Sequence, residues 1–555
     1  MQIIANNKRL FMLMLVSTIL LYFVFSPAVN SLYYAHDDFR YLFGGIGKAC
    51  KLDDGFEFMW TLGRPLQAYL DCINFKFGNT FERMQDVRLI SVILMGCGMG
   101  MLADWLCCLG LSAIIAFFAA GIFFLLPEMY LDTVLTGSQP LAFSVLMVLL
   151  AYRLMNTRES VGWPRWAAVI LLCALLTYPA MAFFFVVLIL SKLLFSRLED
   201  WPKTRYAISR EVILFCIICV IYYIWAFINM HYFPQAPVTD VAYQLNHPNF
   251  NIREIIQRLA ILGNVFGPIW ALSPLSNGIL QGWIMIALFS LAIVFAWLFF
   301  IKSEFYLRNK SRAWQWGWQV VAAVCVLFLL CSVFVLIMPG RMLEPRLLVG
   351  SIAAGLMIVL WSIYRCSLIF SQQIRSGIVL VVVSVFFLVQ AHQTNIVITA
   401  YAMSYIQHLD FAKTAIARYL LMEHPLQRIH YIVPRSSYPY DKFFLTNGAL
   451  VKLFGKDKYQ IQWCSLSRGT PGAEQDHQAE AVQCIRTIPE HAVAITYTYP
   501  GEMFTKTDPM LVIDMRNITV ANYLEENLNS YFHKQKRASF QPGELSPASK
   551  SANSG

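Results

Sequence analysis

The chain has 555 residues, 58% of them hydrophobic and only 14% charged, with Phe (41), Tyr (26) and Trp (14) abundant. Soluble domains carry about 25% charged residues, and a chain of this size has no room to hide so much apolar surface from water. Soluble, disordered, collagenous and coiled-coil classes are therefore excluded, and the mean hydropathy of +0.54 leaves a polytopic membrane protein. The net charge of +10 reads as positive-inside loop bias, not as nucleic-acid binding.

The first apolar run, 10–27, follows Lys8 and Arg9, which predicts a cytoplasmic N-terminus. Ser26-Pro27-Ala28 loosely fits a signal-peptidase site, but the many later runs favour an uncleaved helix. Further runs at 89–106, 111–126, 139–155, 166–177, 180–195, 212–230, 283–301, 320–338, 347–364 and 374–391 give about eleven spans. An odd count puts the C-terminus outside. The charges agree: the short loops that fall inside carry Arg153, Arg158 and Arg165, then Lys192, Arg197, Lys203, Arg205 and Arg210, then Lys302, Arg308, Lys310 and Arg312, then Arg365 and Arg375. The stretch 166–195 is broken at Tyr178-Pro179, and basic residues flank both of its ends. That pattern predicts a hairpin with its tip on the outer surface, since a proline removes a helix hydrogen bond and suits such a break.

Three outer segments are large: 28–88, 231–281 and 392–555. The expected fold is mainly α, a polytopic transmembrane bundle with a small α/β C-terminal domain. The division is 1–391 for the membrane region, including the first outer loop 28–88, then 392–534 for the domain and 535–555 for a disordered tail. Helical spacing is read over 401–424 and strands over 430–434, 492–497 and 511–514. Cys50 with Cys72, and Cys464 with Cys484, are two local outer pairs suited either to disulfides or to free buried thiols. Cys216 and Cys219 lie inside an apolar run and read as packing residues.

Familiar chemical motifs mostly fail. Gly44-Gly45-Ile46-Gly47-Lys48 lacks the earlier glycine of a phosphate loop and has Ala49 where Ser or Thr belongs. No zinc spacing and no nucleophile elbow occur. The informative segment is His36-Asp37-Asp38-Phe39-Arg40, directly after the first run, which sets two carboxylates at the outer membrane surface. Gly63-Arg64-Pro65-Leu66 follows, with apolar amphipathic stretches over 56–60 and 66–77 suited to lying along the interface. Glu128 and Asp132, Tyr178-Pro179, and Arg341 with Arg346 fall at the outer ends of later runs. Asp132 also suits a helix cap, and the two arginines suit either bidentate phosphate recognition or snorkelling to headgroups.

Taken together, Asp37-Asp38-Phe39-Arg40, Gly63-Arg64-Pro65-Leu66, the 127–132 turn, Tyr178-Pro179-Ala180 and Arg341 with Arg346 resemble the GT-C superfamily of polyprenyl-phosphate-sugar-dependent glycosyltransferases, and within it the O-antigen glucosyltransferases of serotype-converting phages. The resemblance covers about residues 10–390, with the C-terminal domain matched only by position and size. It implies a multi-pass bacterial inner-membrane hexosyltransferase, its N-terminus cytoplasmic and its C-terminal domain periplasmic. The enzyme would move a sugar, expected to be glucose, from undecaprenyl phosphate to lipid-linked O-antigen or a similar surface glycan, with inversion. Asp37 is the first choice of general base and Asp38 the second. Arg64, Arg341 and Arg346 would stabilise the leaving lipid phosphate, and Arg40 would pair with an acid. Glu128 and Tyr178 would line the substrate site. The lipid-linked sugar is a substrate, no cofactor is implied, and the absence of a metal-ligand set predicts metal independence. The implied partners are the bilayer, the donor, the glycan acceptor, a flippase and a polyprenyl-phosphate sugar synthase.

Three other readings compete. One is a relative acting on lipid A, protein or teichoic acid. Another is a transporter of lipid-linked sugars, disfavoured by the scarcity of in-span charge, of which Asp104 is the main acid, and by the lack of an inverted repeat. The third is a polysaccharide polymerase or ligase, in which Asp37 would be dispensable.

Overall fold

In a computed structural model, residues 2–34, 55–126, 139–156, 163–232, 251–256, 308–333, 347–368, 370–420 and four C-terminal strands are described, with isolated positions between them, Asp38 among these. The described part is mainly helical. Seven of its helices are long and apolar enough to cross a membrane, and three shorter apolar helices, Ala113–Phe124, Arg165–Thr177 and Pro179–Phe195, accompany them. The expected run 283–301 falls almost entirely outside the described residues.

Helix α1 (Gln2–Val29) lies along α4 (Phe81–Cys108). The reason is a pair of glycines one turn apart on one face of α4. A Cβ on Gly96 would sit 2.5 Å from Thr18 Cα, and one on Gly100 would sit 2.5 Å from Met14 Cα, so only glycine permits this backbone approach. Between them in sequence come α2 (Gly55–Thr61) and α3 (Pro65–Phe77), both at the expected interfacial stretches. Thr80 caps α4 by accepting from the Arg83 N–H at 3.3 Å.

Helices α5 (Ala113–Phe124), α6 (Gln139–Asn156) and α7 (Trp163–Thr177) follow. After Tyr178 the chain turns into α8 (Pro179–Ala182) and α9 (Phe184–Phe195). The Ser144 hydroxyl on α6 lies 3.1 Å from the Ala174 carbonyl and 3.2 Å from that of Tyr178. Lys192, near the end of α9, is back beside Asn156 at 3.0 Å. The stretch is therefore a hairpin with its tip at Tyr178-Pro179. Helix α9 is apolar on all sides and accordingly lies at the centre of the core, with Phe184 to Leu190 all buried. Around it lie α10 (Trp201–Tyr232), α11 (Lys310–Cys331) and α12 (Val349–Ser367).

Helix α13 (Gln372–Leu420) departs from expectation, because it runs 49 residues without a break through the boundary drawn at 391/392. At 1.5 Å per residue it extends about 74 Å, well beyond a hydrocarbon core of about 30 Å. The chain from Ile378 to His424 holds neither glycine nor proline, so nothing stops the helix where its composition turns polar. Gln390 and Thr394 donate to the Leu125 carbonyl, and Asn395 donates to that of Val24, at 3.0, 3.2 and 2.8 Å. Beyond α13, β1 (Arg428–Ile432), β2 (Gln460–Cys464), β3 (Val493–Thr496) and β4 (Met510–Asp514) pair in parallel in the order β2-β1-β4-β3. Ile429 faces Ile461 on one side and Leu511 on the other. Strand β2 was not foreseen, and the tail 535–555 lies outside the described residues.

One end of the bundle is basic. There Asp104 at the end of α4 receives Arg9 of α1 at 2.7 Å and Arg153 of α6 at 2.6 Å. Lys192 pairs with the buried Glu211 of α10, and Arg365 of α12 donates to the Ser196 carbonyl. These bonds tie the ends of six helices together.

Candidate functional site

The opposite end collects the segment after α1, the helices α2 and α3, the start of α4 and the Tyr178 tip. Arg88 organises it. This arginine lies on the face of α4 that also carries Met84, Ser91 and Val92, and its side chain is fully buried. Its Nη2 donates to the Tyr33 carbonyl at 2.7 Å, and its guanidinium stands 3.6 Å from the centre of the Tyr33 ring. Nη1 reaches the Ser31 carbonyl at 3.5 Å, and Nη2 lies 3.5 Å from Asp38 Oδ2. The Asp38 side chain is also wholly inaccessible.

Burial pushes the Tyr33 hydroxyl up to about 12, with Arg88 opposing the rise and Asp38 adding to it. Tyr34 is raised as well, by burial first, and stacks on Phe81 with 4.3 Å between ring centres. Phe75 of α3, Met84 and Val87 complete the small core around Tyr34. One arginine thus joins the Ser31 and Tyr33 carbonyls to the Asp38 carboxylate.

A second arginine stands at the other end of α3. Gly63 adopts φ +77, a left-handed conformation that favours glycine, and turns the chain from α2 into α3. A Cβ there would also lie 2.9 Å from the Tyr222 hydroxyl of α10. The turn places Arg64 at the N-cap of α3 with its guanidinium 4.4 Å from the centre of the Tyr178 ring. Helix α2 is held to the end of α10 by a reciprocal pair: Trp60 Nε1 donates to Asn229 Oδ1 at 2.6 Å, and Asn229 Nδ2 donates to the Trp60 carbonyl at 2.7 Å. Cys50 and Cys72 form a disulfide that ties the first loop to α3.

The sequence-expected residues separate accordingly. Asp38, Arg64 and Tyr178 come to this end of the bundle, the last two in direct contact. Asp37, Arg40, Glu128, Asp132, Arg341 and Arg346 lie outside the described residues, as does Cys484 of the second cysteine pair. The pairing expected between Arg40 and an acid has a counterpart in Arg88 with Asp38. Sequence reasoning passed over Arg88, which stood only as the edge of a loop. Its signal was an arginine four residues from both Met84 and Val92, on a helix face that holds no other charge near it. Among the described residues, no three His, Cys, Asp or Glu side chains gather where a metal ion would bind.

No family model, no curated protein and no solved structure matches the chain.

Proposed function

We propose that the chain is a membrane glycosyltransferase of GT-C type, and that it works at the end of the bundle opposite the basic cluster. The basic end is the cytoplasmic one, in keeping with the distribution of Lys and Arg. The site then faces the periplasm of a bacterial inner membrane, beneath a periplasmic C-terminal domain, in a bundle of eleven spans. The donor is a sugar on undecaprenyl phosphate, with glucose as the first choice. The acceptor is lipid-linked O-antigen or a similar surface glycan.

The observation that carries this reading is the buried Asp38–Arg88 pair, fixed immediately beside Asp37 in the chain and set at the same end as Arg64 on Tyr178. A carboxylate pair needed only for solubility has no reason to bring one member and an arginine entirely out of water. Asp38 is the orienting acid and Asp37 the general base. The acceptor hydroxyl gives its proton to Asp37 as its oxygen bonds to the anomeric carbon. The bond from that carbon to the phosphate oxygen breaks, and the polyprenyl phosphate leaves with the electron pair. A single displacement inverts the anomeric centre. Arg64, Arg341 and Arg346 stabilise the leaving phosphate, an effect of about 3 kcal/mol for one well-placed donor.

The test is a mass spectrum of the O-antigen repeat from a host lacking the gene, with the native chain and with Asp37→Asn at equal expression. The expected result is one added hexose with the native chain and none with the variant. No added mass with the native chain, in a host supplying donor and acceptor, contradicts the reading and favours a transporter or another acceptor.

A further inference from the structure

Helix α3 has its two faces reversed relative to a helix that covers a soluble protein. Gln67, Asp71 and Asn74 recur at helical spacing on one face and are 4%, 2% and 6% exposed. Tyr69, Ile73 and Phe77 form the other row and are 52%, 63% and 44% exposed. Such a helix is stable only where its surroundings are apolar on the outside and polar on the inside. The first condition is met at the edge of the lipid. Tyr69 packs edge-on against Phe56 and Trp60, and Trp60 against Trp225, a cluster of the kind found at membrane interfaces.

The second condition requires something polar beneath the helix, where α3 lies against α6 and α7. Gln67 Oε1 and Arg64 Nε are buried there without a hydrogen-bond partner among the described residues. Buried polar atoms are seldom left so, because the lost bonds to water are not replaced. The row also connects the two clusters already described. Arg64, the N-cap just before it, touches Tyr178, and Phe75 beside its far end belongs to the core around Tyr34. These positions are roughly 16 Å apart along the helix, at 1.5 Å per residue.

We infer that the buried face of α3 is the headgroup subsite for a lipid-borne sugar phosphate: Arg64 takes the phosphate, Gln67 and Asp71 take sugar hydroxyls, and the outer row lies in lipid beside the substrate's tail. This rests on the glycosyl-transfer reading and adds to it the residues that recognise the sugar. It also sets the order of the substrate along α3, phosphate at the Arg64 end and sugar towards the Asp38 end.

The experiment uses the full chain in lipid nanodiscs and measures the affinity of undecaprenyl-phosphate glucose, of undecaprenyl phosphate and of phosphatidylglycerol. The native chain should prefer the glucose-bearing lipid. Gln67→Ala and the isosteric Asp71→Asn should each remove about tenfold of that preference, in line with loss of a buried hydrogen bond. Arg64→Ala should weaken both polyprenyl lipids alike. Unfolding temperatures measured without ligand identify any variant that has merely lost its fold, and Asp71→Asn keeps the volume of the native side chain. A preference for the glucose-bearing lipid that survives both substitutions overturns the subsite and leaves the transferase reading intact. A native chain that binds both polyprenyl lipids equally overturns the sugar contacts. No preference for either over phosphatidylglycerol overturns the subsite and the transferase reading together.

Discussion

At the basic end of the bundle, Asp104 sits between Arg9 and Arg153 at 2.7 and 2.6 Å, and both arginines are partly exposed. At the other end, Asp38 and Arg88 lie 3.5 Å apart and neither side chain reaches the surface. The first arrangement is less expensive: the bonds are short and, although Asp104 is buried, both arginines reach solvent, where an ion pair contributes about 1 kcal/mol or less. It works as a staple between helix ends. The second carries a large desolvation penalty, which a single ion pair seldom offsets. It persists because Arg88 also holds the Tyr33 and Ser31 carbonyls and lies against the Tyr33 ring, so its charge is spread over several partners. Charge at one end fastens helices, and at the other it is buried against the segment that follows α1.

Removing charge at each end should separate these roles. The largest effect is expected from Arg88→Met, which removes the guanidinium from beside the buried Asp38 carboxylate. The expected loss is about 3–5 kcal/mol, read as a fall in the unfolding temperature of the purified chain. Arg88→Lys should recover only part of it, since an ammonium cannot supply the planar, forked set of donors. Native-like unfolding of Arg88→Met would mean that something else orders the segment.

A smaller effect is expected in alkali. The Tyr33 hydroxyl is raised by burial to about 12 in the folded chain, against about 10 when unfolded. The folded state therefore favours the protonated phenol. The associated stability, about 3 kcal/mol, is fully present below pH ~10 and is lost as the pH rises towards 12. Unfolding measured from pH 8 upward should show this loss in the native chain and a flatter profile in Tyr33→Phe. Equal slopes in the two proteins would remove Tyr33 from the account.

The smallest effect is expected at the basic end. Asp104→Asn should cost about 1 kcal/mol or less, shrink further in salt, and leave sugar transfer unchanged. A transfer defect in that variant would erase the distinction between the two ends.

The helices were legible because apolar runs long enough to span lipid leave few other structures possible. The Tyr178-Pro179 hairpin was legible from a missing N–H and from basic residues at both flanks. The continuity of α13 was not, since polar composition after Ala391 suggests a boundary while the lack of glycine or proline lets the helix continue. Strand β2 escaped although Gln460, Ile461, Gln462 and Trp463 alternate, because the segment is short and isolated in a polar stretch. At the site, Asp38, Arg64 and Tyr178 stood out by residue type and by position after apolar runs. Arg88, Gln67, Asp71 and Asn74 did not, because their significance lies in burial, and an amphipathic pattern alone does not say which face of α3 meets lipid. The sequence pattern marks an amphipathic helix, and only the fold shows its polar face turned inward.

The most direct measurement is transfer of labelled sugar from undecaprenyl-phosphate glucose to a lipid-linked O-antigen repeat by the purified chain, with native, Asp37→Asn and Asp104→Asn proteins compared at equal folded concentration. Loss of a general base should lower the rate by about 10²–10⁴ in Asp37→Asn, with Asp104→Asn at the native rate. Transfer that proceeds equally in all three would contradict the placement of the chemistry at the Asp37-Asp38 end.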